Sequence, residues 1–248
     1  MIGAVLAGGK AGALEASAGV ESRALVPVGG RPLVARVVEA LQGAQTIDSI
    51  AVIHGPGRPL PDQAVGGARQ VPAAGEAYCD TVRAAAQQAG EGHVCLATAD
   101  MAALTAAAVD ATVKFALDSD ADLTYTIAEA GMVSEAFPGT VRTTVRLREG
   151  RFTGGNLAVA RSAALLGALQ QIEMAFGRRK SIVGLTMLLG PMFLLRLVLG
   201  RLSVTDAAAR GAALLGCSVA VHASPYPEIG FDVDKPSDLE LAERLLSL

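Results

Sequence analysis

Three stretches of the chain hold side chains suited to chemistry. The first is Met1–Pro32, in which the apolar run Ile2-Gly3-Ala4-Val5-Leu6 stops at Gly8 and Gly9 and is followed by the cations Lys10, Arg23 and Arg31. Glycines let backbone N–H groups approach an anion closely, and Lys and Arg add charge-assisted hydrogen bonds. The segment from Ala7 to about Ser22 therefore reads as a loop that cradles phosphate. The second stretch is Ala99-Asp100-Met101, directly after the apolar run His93–Thr98. A carboxylate just past a buried strand and beside a phosphate loop is where a hard cation such as Mg²⁺ is held as it bridges nucleotide phosphates. The alternative is that Asp100 caps a helix starting near Thr105. The third is Phe231-Asp232-Val233-Asp234-Lys235-Pro236-Ser237-Asp238-Leu239, an acidic segment running into a helix start at Pro236.

Two common phosphate motifs do not fit the first stretch. A P-loop needs G-x-x-x-x-G-K followed by Ser or Thr, whereas Gly3 and Gly9 are too far apart and Ala11 follows Lys10. The dinucleotide fingerprint needs G-x-G-x-x-G, and Gly8, Gly9 and Gly12 have the wrong spacing.

The elements that must position these residues alternate between strand and helix. Ile2–Leu6 reads as a buried strand, and Leu33, Val34, Val37, Val38 and Leu41 have helical spacing up to Gly43. Ser49–His54 is a second strand, Arg69–Val71 a third and His93–Thr98 a fourth, with an Ala-rich helix over Tyr78–Ala89. This is a doubly wound α/β layout, in which ligands are expected at the carboxyl ends of strands. Further on, Thr105–Leu117 reads as a helix and Asp122–Ile127 as a strand, the acidic run Asp118, Asp120 and Asp122 being a solvated turn. A β-hairpin over about 140–154 places Arg142, Arg146, Arg148 and Arg151 on its polar face, outward to solvent. The chain of 248 residues is read as a single domain, 1–248, with an apolar helical insert at about 178–202.

A net charge of −3 argues against a nucleic-acid polymer as partner but leaves mononucleotides open, since these need only a few local cations. Cys79, Cys95 and Cys217 are odd in number and widely spaced, which argues against a disulfide framework. Without a basic-then-apolar leader before the first strand, a cytoplasmic location is expected.

The blocks LAGG, Arg23-Ala24-Leu25-Val26-Pro27-Val28-Gly29-Gly30-Arg31-Pro32, Ala97-Thr98-Ala99-Asp100 and Asp232-Val233-Asp234-Lys235-Pro236-Ser237-Asp238-Leu239, in that order, resemble the MobA-like nucleotidyltransferases. These include molybdenum-cofactor guanylyltransferase and the sugar-1-phosphate nucleotidyltransferases. Arg23 stands where that family usually has Lys, a loop Arg is missing, and Ala102 replaces the Pro that follows its Asp-Met. The resemblance implies a single doubly wound, mixed and mostly parallel sheet flanked by helices, the nucleotide-diphospho-sugar transferase fold. It also implies transfer of a nucleoside monophosphate from an NTP to a phosphorylated acceptor with release of pyrophosphate. In that reading Lys10 and Arg23 hold the phosphates. Leu6, Ala7, Gly8, Gly9, Ala74, Gly75 and Asp100 bind the nucleotide, and Asp100 and Asp234 hold Mg²⁺ or Mn²⁺. Gly155 and Asn156, in a Gly-Gly-Asn turn, border the acceptor; an empty turn is the equal alternative. Two other functions compete: a metal-dependent glycosyltransferase, suggested by Asp232-Val233-Asp234, and a catalytically impaired nucleotide-binding protein, suggested by the departures from the family pattern.

The run Ser181–Gly200 approaches the length of a membrane span, about 20 residues. Pro191 after Gly190 and the internal Arg196 argue instead for two helices broken at Gly190-Pro191, packed in the core or at a contact between copies of a homo-oligomer. A lid over an apolar acceptor and a peripheral membrane contact are the alternatives.

Overall fold

The structure, a computed structural model, describes residues 1–8, 12–178 and 189–246. In chain order the elements are β1 (Ile2–Ala7), α1 (Ala13–Ala18), β2 (Pro27–Val28), β3 (Arg31–Pro32), α2 (Leu33–Gly43), β4 (Ser49–His54), β5 (Arg69–Pro72), α3 (Tyr78–Gln88), β6 (His93–Thr98) and α4 (Ala106–Ser119). They continue with β7 (Leu123–Glu129), α5 (Ala130–Ala136), β8 (Thr144–Leu147), β9 (Gly150–Arg161), α6 (Ser162–Arg178), α7 (Pro191–Val198), α8 (Val204–Leu215), β10 (Val219–Ser224) and α9 (Pro236–Leu246).

An eight-stranded sheet runs in the order β10-β7-β9-β6-β1-β4-β5, with β8 on β9. The pairs β1–β4, β1–β6, β4–β5 and β10–β7 are parallel, and β9 is antiparallel to β6, β7 and β8. The sheet is thus mixed and mostly parallel. Strand β1 lies at its centre because its side chains are apolar on both faces, as a covered parallel strand requires. Val5 and Ala7 pack with Val34, Val37 and Leu41 of α2 and Val109 and Val113 of α4. Ala4 and Leu6 pack on the other face with Val82 and Ala85 of α3 and Leu165 and Leu169 of α6. From β1 the chain passes to β4 on one side and returns to β6 on the other, so a crevice opens at the carboxyl ends of β1 and β6. A third cluster, in which Phe137 stacks on Phe231 at 4.2 Å, joins Leu14, Val26 and Val28 to Leu241 of α9 and so packs the segment after β1 against the C-terminal helix.

Three expectations need correcting. The segment expected as a continuous loop to Ser22 contains α1, which starts at Gly12 because Glu15 accepts a hydrogen bond from the Gly12 N–H at 2.8 Å. The Gly-Gly-Asn segment is not a turn but lies inside β9. It forms the irregularity where Tyr125 pairs with Ala158 but Ile127 pairs with Gly154, and β9 thereby accommodates extra residues. A Cβ on Gly155 would come within 2.3 Å of Thr126 Oγ1 and 2.9 Å of the Thr126 carbonyl, so glycine is required there by close packing. Arg142 does not face solvent: its side chain is 13 % exposed and lies over the Phe231 ring at 5.4 Å.

The apolar run expected over Ser181–Gly200 falls partly on residues 181–188, outside the described residues. Beyond them Gly190 has φ +86°, which glycine permits, and Pro191 opens α7 in its first turn. Arg196 pairs with Asp206 at 2.9 Å. Among the described residues no helix is long and apolar enough to cross a membrane.

Candidate active site

A cavity of about 370 Å³ occupies the crevice. Leu6, Ala7 and Gly8 form one wall, Thr98, Ala99 and Asp100 another, and Glu15, Arg23, Tyr78 and Thr81 close it. Strands β1 and β6 set these walls side by side: Leu6 pairs with Thr98, and the Ala99 N–H donates to the Leu6 carbonyl at 3.2 Å. Gly8 is needed because a Cβ there would sit 2.5 Å from Thr81 Oγ1. Two polar atoms of the lining residues, Thr98 Oγ1 and Asp100 Oδ1, are buried with no hydrogen-bond partner. In a folded interior such groups are uncommon.

Arg23 organises the acidic side of the cavity. Its Nε donates to Glu15 Oε1 at 3.0 Å, while Nη1 reaches Asp100 Oδ2 at 3.5 Å and hydrogen-bonds Asp234 Oδ1. Burial works against the guanidinium charge, but Glu15, Asp234 and Asp100 outweigh it and hold Arg23 above its ordinary value. Glu15 is 1 % exposed; desolvation pushes its carboxyl up, and backbone N–H donors with Arg23 bring it below its ordinary value.

Asp100 and Asp234, far apart in sequence, therefore meet on one guanidinium. Neither serves as a helix cap. Thr105 itself caps α4, accepting from the Ala108 N–H at 3.2 Å, and Asp238 accepts from the N–H groups of Asp234 and Lys235 at the start of α9. The two segments are also tied through the backbone, Val233 N–H to Asp100 carbonyl at 3.0 Å. Behind them Asp232 pairs with Arg142 at 2.9 Å. Burial pushes the Asp232 carboxyl up to about 6; Arg142 pulls it down and the charges of Asp100 and Asp234 push it up.

Other expected site residues fall elsewhere. Gly9 and Lys10 lie outside the described residues. Ala74 and Gly75 sit between β5 and α3, where Asp80 folds over Gly75 so closely that a Cβ would be 2.3 Å from its Oδ2. Among the described residues, Ala74, Gly75, Gly155 and Asn156 do not line the cavity. Arg31 pairs with Glu39 at 3.0 Å rather than with the cradle. Sequence reasoning missed Glu15, Thr81 and Arg142. Only Glu15 had a local signal, its position three residues after the helix start at Gly12.

The order of the mixed, mostly parallel sheet and its switch point at β1 are those of the nucleotide-diphospho-sugar transferase fold. The chain belongs to the MobA-like NTP transferase family, whose domain model matches residues 3–186. It is similar to a hypothetical transferase from Thermus thermophilus, with 38 % identity over 96 % of this chain and 98 % of that one and a TM-score of 0.81. The fold is shared with 2-C-methyl-D-erythritol 4-phosphate cytidylyltransferase, also from Thermus thermophilus, at 20 % identity, full coverage of both chains and a TM-score of 0.57. It is shared too with a CMP:2-keto-3-deoxy-manno-octonic acid synthetase complexed with CTP, at 13 % identity over 99 % of this chain and 98 % of that one, TM-score 0.62. No curated protein sequence matches the chain.

Proposed function

We propose that the protein is a divalent-metal-dependent nucleotidyltransferase that moves a nucleoside monophosphate from an NTP to a phosphorylated acceptor. An acceptor phosphate oxygen bonds to the α-phosphorus, the bond from that phosphorus to the bridging oxygen breaks, and pyrophosphate leaves with the electron pair. The observation that carries the reading is the convergence of Asp100 and Asp234 on Arg23 beside the Gly8 crevice.

The donor set suits Mg²⁺ or Mn²⁺. It consists of carboxylate oxygens, one of them, Asp100 Oδ1, buried and unpartnered. Among the described residues no cluster of three or more His, Cys, Asp or Glu could hold a metal alone. Mg²⁺ needs no such cluster, since it binds through one or two carboxylates and completes its shell with substrate phosphates and water. Asp100 and Asp234 would hold it, and its chemistry is to neutralise charge building on the phosphate oxygens. Arg23, freed from those carboxylates but still held at Nε by Glu15, turns Nη1 toward phosphate. The backbone of Leu6, Ala7 and Gly8 lies against the base and ribose, and Thr98 Oγ1 supplies a polar contact. Lys10, outside the described residues, is the second phosphate cation that the sequence offers.

Incubation with each of the four NTPs, Mg²⁺ and a panel of sugar, alcohol and pterin phosphates tests it. Pyrophosphate release with nucleotidylation of an acceptor is the expected result. Release of a nucleoside diphosphate from a nucleotide sugar would instead identify a glycosyltransferase, and binding without turnover a regulatory nucleotide binder.

A further inference from the structure

A second cavity, about 620 Å³, adjoins the first, and Tyr78 lines both. It lies between the sheet face formed by β7, β8, β9 and β10 and the helices α6, α7 and α8. Among the described residues its lining includes no charged side chain; only Tyr78, Tyr125 and Thr153 bring side-chain oxygens to it. Its volume is that of a small-molecule site rather than of a packing void. A pterin or sugar ring would need partners for its hydroxyl and amide groups, of which the described lining offers few. A hydrocarbon chain would not. Helix α8 also leaves the space open: Gly211 lines the cavity, and a Cβ added there would meet nothing nearer than Val219 Cγ1 at 3.5 Å. Helix α7 turns Phe193 and Leu197 to the cavity, and Met192, Leu195 and Val198 are 66 %, 53 % and 83 % exposed.

We infer that the acceptor is an amphiphilic phosphomonoester, its phosphate in the crevice beside Arg23 and Thr98 and its long alkyl or prenyl chain running past Tyr78 into the apolar cavity. This rests on the nucleotidyl-transfer reading and names its acceptor class. The bonds made and broken are those given above, the attacking oxygen now belonging to a lipid-like phosphate.

Calorimetry of the full chain with ethyl, butyl, octyl and dodecyl phosphate, each below its micelle concentration, tests the inference. Each buried methylene adds affinity, so dodecyl phosphate should bind at least about 100-fold more tightly than ethyl phosphate. Gly211→Leu, which fills the cavity with a better helix former, should weaken dodecyl phosphate at least tenfold and leave ethyl phosphate and NTP-induced thermal stabilisation unchanged. Affinity independent of chain length, or a chain-length effect that survives Gly211→Leu, overturns the inference; the wild-type series decides alone if the variant does not fold. Chain-dependent binding without pyrophosphate release from any NTP would retain the apolar site and overturn the nucleotidyl-transfer reading instead.

Discussion

Glu15 and Arg23 form an ion pair of 3.0 Å between Oε1 and Nε, with the carboxylate side chain 1 % exposed and the guanidinium 34 %. The buried partner is fixed by the start of α1, so it sets where the guanidinium can reach. Glu15→Gln should lower turnover about tenfold and stability by about 2 kcal/mol, below the range for fully buried pairs because Arg23 is partly solvated. Urea unfolding and pyrophosphate release measure the two effects. Unchanged turnover would show that Arg23 needs no tether.

Asp100 and Asp234 converge on Arg23 without capping a helix, so their removal should affect chemistry more than folding. Asp100→Asn and Asp234→Asn should each lower kcat/KM about 100-fold, the scale of losing one preorganised electrostatic contact. Melting temperatures should stay within about 4 °C of the parent. Activity near the parent level in both variants would remove the metal assignment.

Gly8 and Thr81 are in contact through space a side chain would need. Gly8→Ala should cost about 1–3 kcal/mol through overpacking and weaken NTP binding. In a Thr81→Ala background the same change should cost much less, and a double-mutant cycle on unfolding free energy reads the coupling. Additive effects would mean that the Gly8 backbone, not the Thr81 side chain, sets the cost.

Asp122 and Ser218 clip the start of β7 to β10: Asp122 Oδ2 accepts from the Ser218 N–H at 2.9 Å and from its hydroxyl at 2.7 Å. These bonds hold the Asp122 carboxyl below its ordinary value of 3.8. A depressed carboxylate stabilises the fold above the unfolded value, and that contribution is lost as pH falls through the folded one. Asp122→Asn should therefore cost about 1 kcal/mol at pH 7 and progressively less below pH about 4. A difference that does not vary with pH would contradict the clip.

Much of this arrangement was legible in the chain because local rules and tertiary demands agree. Helix α2 spans Leu33–Gly43 as its apolar spacing requires, and the strands β1, β4 and β6 follow their apolar runs. The meeting of Asp100 with Asp234 followed from ordered motif blocks rather than from local patterning. Other features were hidden for physical reasons. Arg142 sits between Val141 and Thr143 just before β8 with no local sign of burial, and its long-range contacts with Asp232, Asp238 and the Phe231 ring turn it inward. Gly154 and Gly155 have the composition of a turn, yet the neighbouring side chains of Tyr125 and Thr126 make them the residues that fit inside a strand. Glu15 sits among alanines whose small volume masks the short helix α1.

The most direct measurement is pyrophosphate release from NTP with Mg²⁺ and a phosphorylated acceptor, counted against nucleotidylated product in parent and Asp100→Asn protein. One pyrophosphate per product in the parent, nearly abolished in the variant and absent without the divalent ion, is expected. Inorganic phosphate or nucleoside diphosphate as the leaving product, or turnover indifferent to Asp100, would contradict the triphosphate-and-cation site.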